Sequence, residues 1–185
     1  LWLVQRCRAD FGEIDYGTLT EQAAAAKPFE SLIDPDREVF LNPPSMTKAI
    51  ADFCKQTNQP VPSGQGAFVR CCLESLALQY RMVLRQLEEI HNLRIEKLHI
   101  VGGGTQNKLL NQLTADAVGI PVHTGPIEAT VIGNILMQAI GLGHVKDLAE
   151  ARRIVRNSFE MATYKPQNPQ QWDAQFDRFM KYKAE

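Results

Sequence analysis

The sequence lacks the features that mark several functional classes. No run approaches the roughly 18 apolar residues of a membrane-spanning helix, and the first residues show none of the charged, apolar and small-residue sections of a secretory signal. The formal net charge of -1 offers no attraction to a phosphate polymer or an anionic membrane. We therefore expect no nucleic-acid or membrane partner, and a cytoplasmic location.

Cysteine is also scarce. The four cysteines, Cys7, Cys54, Cys71 and Cys72, show no CxxC spacing, and none has a histidine at metal-ligand spacing. We expect no metal site in this chain. Reduced and mostly buried thiols are the simpler expectation in a reducing compartment, and a disulfide between Cys54 and Cys71 is the alternative.

The chain begins without a methionine. Residues 1–4 have the pattern of one turn of an apolar helix face, which predicts that the chain is a fragment of a longer protein. The length of 185 residues, with 44% hydrophobic and 22% charged residues, is nevertheless typical of one globular domain. The chain is therefore long enough to bury a core of its own.

The pattern along the chain divides it into three parts. Residues 12–66 are predicted to be an irregular excursion and connector, because prolines and glycines interrupt them. Residues 67–145 are predicted to hold a helix followed by a β-α-β-α core, and residues 146–185 the C-terminal helices. Such alternation favours an α/β fold with right-handed crossovers, short parallel strands and flanking helices.

Apolar spacing predicts the individual elements. The expected strands cover residues 97–101 and 121–124, and the expected helices cover residues 1–11, 23–26, 46–57, 67–91 and 129–142, with later starts at Asp147 and Asn168. A small sheet with so many helices should leave an edge or a face exposed. The side chains expected to pack helix 129–142 are Ile132, Ile135, Leu136 and Ala139.

A glycine turn follows the first predicted strand. Gly102, Gly103 and Gly104 leave no Cβ between the backbone and a ligand and permit conformations that expose several N–H groups. Thr105 is the expected N-cap of the next helix, with Asn107 one turn inside it. A phosphate or ribose site at a helix N-terminus is one interpretation, and a tight turn without a ligand is the other.

The residues after the glycines exclude the two commonest nucleotide motifs. A dinucleotide fingerprint needs a third glycine where Asn107 stands, and a P-loop needs Ser or Thr after Lys108, where Leu109 stands. A redox domain would also need an acidic residue ending the strand at 121–124, and none is present. The Asn107 carboxamide can donate and accept, which suits ribose, adenine or phosphate oxygens.

The motifs around this turn resemble a known family. The segments 101–107 (VGGGTQN), 119–122 (GIPV) and 128–134 (EATVIGN), together with Leu110, Gln112, Ala115 and Asp116, are similar to the C-terminal signature of the FGGY carbohydrate kinases. Within that family, the segments 1–5, 40–43, 59–62 and 74–81 are most similar to the rhamnulokinases. The resemblance covers nearly the whole chain.

The resemblance implies an incomplete C-terminal domain of actin-like, ribonuclease-H-like ATPase fold, paired with an N-terminal part of the same kinase that holds the sugar. It implies ATP with Mg²⁺ as cofactors and phosphorylation of L-rhamnulose at its 1-hydroxyl, with another ketose or polyol as the alternative substrate. Gly103 is the foremost implied nucleotide contact, with Gly102, Gly104 and Asn107 beside it, and Gln5 matches a family position that also reaches ATP.

The same resemblance places the general base, the first phosphate loop and the metal ligands upstream of this chain. No catalytic residue is therefore expected here, and the isolated chain is predicted to be inactive. A non-catalytic actin-like nucleotide-binding module is the alternative from another functional class.

The acidic residues and histidines have simpler interpretations than catalysis. Asp34 and Asp36 lie in a proline-rich polar loop and are expected to be solvated. Asp116 is expected to make a structural hydrogen bond. His99 alternates with apolar residues in a strand, which predicts a packed or edge histidine.

Overall fold

A computed structural model describes residues 1–12 and 14–183 of the chain. The helices are α1 Trp2–Phe11, α2 Tyr16–Ala25, α3 Met46–Gln56, α4 Gln65–His91, α5 Lys108–Val118, α6 Ala129–Gly141, α7 Leu148–Ser158 and α8 Pro169–Lys183. The strands are β1 Leu98–Ile100, β2 Val122–Thr124 and β3 Thr163–Tyr164, and short 3-10 turns cover Glu38–Phe40 and Gly103–Gln106. Most predicted elements are confirmed, and the last two residues of the predicted 146–185 segment lie outside the described range.

The core forms around the first half of α4. This helix packs against α2 and α5, and α1 and α3 close the same core. Helix α4 is 27 residues long, which corresponds to about 40 Å at 1.5 Å per residue. Its fully buried side chains include Leu73 and Leu78, and α8 adds Phe179 from the C-terminal end. The apolar stripes that helical spacing predicts for α4 and α8 are therefore confirmed in part, because Val83, Leu87 and Met180 of those stripes are exposed.

Helix α2 is longer than the sequence pattern indicated. The prediction placed a short helix at residues 23–26, but the helix covers Tyr16–Ala25. Asp15 caps its start, because its side chain accepts a hydrogen bond from the Thr18 backbone N–H at 2.9 Å. The alanine run and Gly17 give a weak apolar pattern, so packing against α4 decides this element.

Part of the predicted surface excursion is buried. Leu32 and Ile33 are fully buried, and the side chains of Gln59 and Ser75 accept hydrogen bonds from their backbone N–H groups. Glu74 accepts from the Phe29 N–H at 2.8 Å. Burial raises the pKa of the Glu74 carboxyl, although the paired Arg70 acts in the opposite direction. Side chains therefore satisfy the backbone of a loop that lacks regular structure.

The buried loop also overturns the expectation for one aspartate. Asp34 was predicted to be solvated, but it is buried, and Lys183 Nζ of α8 donates to its Oδ1 at 2.7 Å. Asp36, which is exposed, receives a second contact from Lys183 at 3.2 Å. The expectation for Asp34 failed because its partner Lys183 lies 149 residues away in the sequence, and local composition does not reveal such a contact. The loop and the last helix are therefore joined by a buried ion pair.

The sheet has the order β1-β2-β3. Strands β1 and β2 pair in parallel, as predicted, with Leu98 opposite Val122 and Ile100 opposite Thr124. Strand β3 pairs antiparallel to β2, so the sheet is mixed rather than purely parallel. Within the described residues, β1 is an edge strand, which confirms the predicted exposed edge.

The expected packing of α6 is wrong. No side chain of this helix is buried among the described residues, and Ile135 is 60% exposed. Ile132, Leu136 and Ala139 are only half-buried, because α6 packs mainly against α7 and not against the sheet. The helix therefore presents apolar side chains with few neighbours within the described chain.

The remaining expectations concern the cysteines and the membrane. All four cysteines are free and buried, with the Cys7 and Cys72 Sγ atoms 4.0 Å apart. Burial raises the pKa of the Cys54 thiol to about 11, which keeps it protonated at neutral pH. Among the residues described, no helix has both the length and the apolar character needed to cross a membrane.

Candidate functional site

The glycine turn lies directly after β1. Gly102 has φ of 80°, a left-handed conformation that favours glycine, and its N–H donates to the Pro126 carbonyl at 3.1 Å. The next residues form the 3-10 turn Gly103–Gln106, which the Thr105 N–H closes onto the Gly102 carbonyl at 3.1 Å. The chain therefore changes direction at Gly102 and presents Gly103 and Gly104 on the first turn that follows.

The N-cap of α5 is Asn107, and the prediction of Thr105 is wrong. Asn107 Oδ1 accepts from the Leu110 N–H at 2.9 Å, whereas Thr105 Oγ1 donates to the Gly102 carbonyl at 2.8 Å. The 3-10 turn inserts one further turn between the glycines and the helix, and Asn107 is as good a cap as Thr105. Asn107 therefore precedes the helix and caps it with its side-chain oxygen.

A large cleft connects this turn with the first helix. It has a volume of about 1360 Å³ and contains Gly103, Gly104 and Asn107 in its lining together with Gln5. Gln5 stands on α1, about a hundred residues earlier in the chain, so folding brings four of the five predicted nucleotide contacts to one cleft. Gly102 does not line it.

Gly103 and Gly104 have open space where a side chain would be. A Cβ built on Gly103 meets no atom within 4 Å, and one built on Gly104 meets only Ile100 Cγ2 at 3.8 Å. Neither residue has a positive φ, so the backbone itself does not require glycine there. Gly102 is therefore explained by conformation, whereas Gly103 and Gly104 leave room for something that enters the cleft.

The lining of the cleft has an apolar part and a polar part. The apolar part comes mainly from the second half of α4, from β1 and from the segment between them, and includes Val83, Leu84, Leu87, Ile95, Leu98 and Ile100. The polar part includes Asp36, Gln79 and Asn111, in addition to the turn. Ligand pockets for small molecules occupy roughly 300–1,000 Å³, so this cleft is larger than one such ligand needs.

Sequence reasoning missed two polar residues of the cleft. Gln79 lies on α4, donates to Asp36 Oδ2, and accepts from Lys183 Nζ at 3.1 Å. Asn111 lies on α5 and is completely buried. The apolar pattern gave no reason to single out Asn111, because it lies on a different face of α5 from Leu110 and Leu113. Nothing local marks Gln79, whose partners come from distant segments.

The structure also tests the sequence expectations for Asp116 and His99. Asp116 makes the predicted structural hydrogen bonds, because its Oδ1 accepts from Gln112 Nε2 at 2.9 Å and from the Gln167 N–H at 2.7 Å. His99 is an exposed edge residue whose ring stacks on His123 with centroids 5.3 Å apart. Partial burial lowers the pKa of His99, and the neighbouring His123 adds to this effect.

Three relatives with known names are similar over most of the chain. The C-terminal domain of the FGGY family of carbohydrate kinases matches residues 2–142. Rhamnulokinases from Bacteroides thetaiotaomicron, Pectobacterium carotovorum and Bacillus subtilis are 47%, 45% and 41% identical, over 97%, 97% and 91% of the chain. The matches cover 37%, 36% and 35% of those proteins. The chain thus spans little more than a third of their length.

Solved structures show the same fold at low sequence identity. A xylulose kinase from Rhodospirillum rubrum matches with a TM-score of 0.62 and 19% identity over 99% of this chain and 36% of its own. A Plasmodium falciparum glycerol kinase crystallised with ADP matches with a TM-score of 0.65 and 13% identity over 92% of this chain and 33% of its own. The predicted fold class, part of an actin-like ATPase domain, is confirmed.

Proposed function

Because this chain belongs to the FGGY family of carbohydrate kinases, we propose that it is the nucleotide-binding half of an ATP-dependent sugar kinase. One observation carries the proposal: Gln5, Gly103, Gly104 and Asn107, which come from segments far apart in sequence, line a single cleft. Phosphoryl transfer depends mainly on positioning and charge stabilisation, so a preformed cradle is what the protein must supply.

The turn and the helix that follows it suit the nucleotide. The space above Gly103 lets a ligand approach the backbone closely, and the N-terminus of α5 adds the positive end of a helix dipole. The Nδ2 group of Asn107 and the carboxamide of Gln5 can donate to ribose, base or phosphate oxygens. In our proposal these four residues hold the adenosine and the inner phosphates of ATP.

We propose L-rhamnulose as the sugar and L-rhamnulose 1-phosphate as the product. The support is the 41–47% identity to three proteins named rhamnulokinase. Another ketose or a polyol remains the alternative. The base that removes the proton from the sugar hydroxyl is assigned to the part of such kinases that this chain does not span.

Magnesium is expected to arrive with ATP, where it would neutralise charge that develops on the phosphates. Within the described ranges, His, Cys, Asp and Glu side chains form no cluster of three or more that could hold a metal ion. We therefore derive no metal coordination from this chain, and we assign the metal ligands to the ATP phosphates and the remaining part of the kinase.

We propose that the remaining part of the kinase docks against the apolar side of the cleft. The Leu98 N–H donates to the Pro121 carbonyl and the Gly125 N–H donates to the Ile100 carbonyl, at 3.0 and 2.8 Å. The backbone of His99 between them points the other way, because successive residues of a strand alternate. Its N–H and C=O thus offer a free edge beside apolar side chains of α4.

The three-part division of the chain belongs to the same proposal. Residues 67–145 would form the nucleotide-binding core, residues 12–66 would connect it to α1, and residues 146–185 would brace it from the C-terminal side. The contact of Lys183 with Asp34 and Asp36, at 2.7 and 3.2 Å, supports the bracing role, because it joins the last part to the second.

Nucleotide selectivity tests the proposal on the chain itself. We expect ADP and ATP to bind the purified chain, detected by calorimetry, with a Kd in the range from about 1 μM to 1 mM. NAD⁺ and NADH should bind far more weakly, because the turn lacks the third glycine and the acidic ribose ligand of a dinucleotide site. Preferential binding of NADH, or no binding of adenine nucleotides to the folded chain, would contradict the proposed function.

Catalytic tests need a complete enzyme. We define the hybrid kinase as the Bacteroides thetaiotaomicron rhamnulokinase in which this chain replaces the matching region, which is 47% identical over 179 residues. The hybrid kinase without any further substitution is called the parent, and it serves as the reference for folding and for activity.

A further inference from the structure

Asn111 is an unusual residue at the base of the glycine turn. Its side chain is completely buried on α5, yet within the described residues its Oδ1 has no hydrogen-bond partner. An unsatisfied buried acceptor lowers stability, and an apolar side chain of the same size would avoid that loss. Ala115, four residues further along the same face of α5, is apolar and completely buried, which shows that an apolar residue fits on this face. The amide therefore needs another explanation.

The nitrogen of the Asn111 side chain explains why an amide is present at this position. Asn111 Nδ2 donates to the backbone carbonyl of Thr105 at 2.9 Å. Thr105 belongs to the 3-10 turn Gly103–Gln106, which otherwise depends on local contacts back to Gly102 and Gly104. The Asn111 amide is thus a side-chain tether between the body of α5 and the turn. It also lines the cleft beside Gly103 and Asn107.

We propose that Asn111 is a positioning residue for nucleotide binding. Its hydrogen bond to Thr105 fixes the orientation of the turn, and so fixes where the N–H groups of Gly103 and Gly104 and the amino group of Asn107 point. A turn that is already held in its binding orientation loses less freedom when a ligand binds, so removal of the tether should weaken the binding of ATP. This inference rests on the proposed function.

Replacement of the amide separates positioning from stability. In the hybrid kinase, Asn111→Leu should raise the KM for ATP between about tenfold and a hundredfold, with kcat at saturating ATP and the KM for the sugar nearly unchanged. The unfolding midpoint should stay the same or rise, because Leu removes a buried unsatisfied acceptor. A residue that only supports the fold would instead lower stability and leave the KM for ATP unchanged.

Thr114 provides a matched control on the same helix. Its Oγ1 is also buried and lacks a hydrogen-bond partner in the described part of the chain, so it makes no hydrogen bond to the turn, and Thr114 does not line the cleft. Thr114→Val keeps the shape and removes the hydroxyl. We expect it to keep the parent's stability or exceed it, with the KM for ATP unchanged.

A measurement on the unmodified chain covers the case in which Asn111→Leu does not fold. In an NMR spectrum of the labelled 185-residue chain, the Asn111 Nδ2 protons should exchange slowly with water and should shift when ADP binds. Rapid exchange of these protons, or an unchanged KM for ATP in folded Asn111→Leu, would overturn the inference. If the chain and the parent hybrid kinase bind no adenine nucleotide, the proposed function fails instead.

Discussion

Gly103→Val should raise the KM for ATP of the hybrid kinase by about a hundredfold, which corresponds to about 2.7 kcal/mol of lost binding. The reason is steric, because the new side chain enters the space that the ligand needs. In the free protein the same side chain has room, since a Cβ on Gly103 meets no atom within 4 Å. The midpoint of thermal unfolding should therefore stay close to that of the parent.

Two further variants separate the roles of the glycines. Gly141→Val is the matched control, because Gly141 also has open space around its Cβ position but does not line the cleft. It should leave the KM for ATP unchanged. Gly102→Val should instead lower stability by about 1–2 kcal/mol, because its φ of 80° is unfavourable for a residue with a Cβ. Unchanged ATP affinity in folded Gly103→Val would contradict the assignment of this turn.

The second large effect concerns reconstitution. The isolated chain should show no phosphorylation of L-rhamnulose, because the general base and the sugar site are assigned to the rest of the kinase. Mixing it with a separately expressed fragment that supplies the remaining part of the Bacteroides thetaiotaomicron relative should restore activity. The measurement is ADP release with each fragment alone and with both fragments together.

His99→Pro tests the surface through which the fragments are proposed to associate. Proline removes the N–H that points to the free edge of β1, but it removes neither of the hydrogen bonds that Leu98 and Ile100 make with the neighbouring chain segment. We expect the variant to fold and to lose most of the reconstituted activity. His99→Val, which keeps the backbone N–H, should reconstitute like the parent.

Leu87→Glu provides an independent test of the apolar wall. Leu87 lines the cleft and is 44% exposed in the isolated chain, so a charge there is tolerated until another segment covers it. Reconstitution should therefore weaken although the chain remains folded. Two results would contradict this account: phosphorylation by the isolated chain, or full reconstitution by both His99→Pro and Leu87→Glu.

The sequence allowed good predictions where local rules decide the structure. The turn after β1 was identified because three glycines follow a short apolar run, and the helices of the core were identified because their apolar residues recur at helical spacing. The start of α8 at Pro169 follows the same kind of local rule. These features depend on residues close together in the chain.

Long-range contacts explain the errors. Asp34 was expected in solvent, but it pairs with a lysine 149 residues away, which no local pattern indicates. Helix α6 has the composition of a packed helix, yet its apolar side chains have few neighbours in the described chain. The pattern predicted a helix packed through these side chains, and it did not show how few neighbours they have within the described residues.

The candidate site was only partly predictable for the same reason. Gly103 and Asn107 belong to one local motif, and the family resemblance added Gln5. Asn111 was missed because the role of a single polar residue on a buried helix cannot be predicted until its partner, the Thr105 carbonyl, is known. The difference between Gly102 and Gly103 likewise required the backbone conformation, since both are glycines of the same run.

The central claim is that this chain holds ATP for the phosphorylation of a sugar. The most direct test is a coupled assay of ADP release by the hybrid kinase, with L-rhamnulose as the sugar because the sugar site of the hybrid comes from the rhamnulokinase. We predict ADP release that depends on both ATP and sugar. Absence of sugar-dependent ADP release from a folded hybrid kinase would contradict the claim.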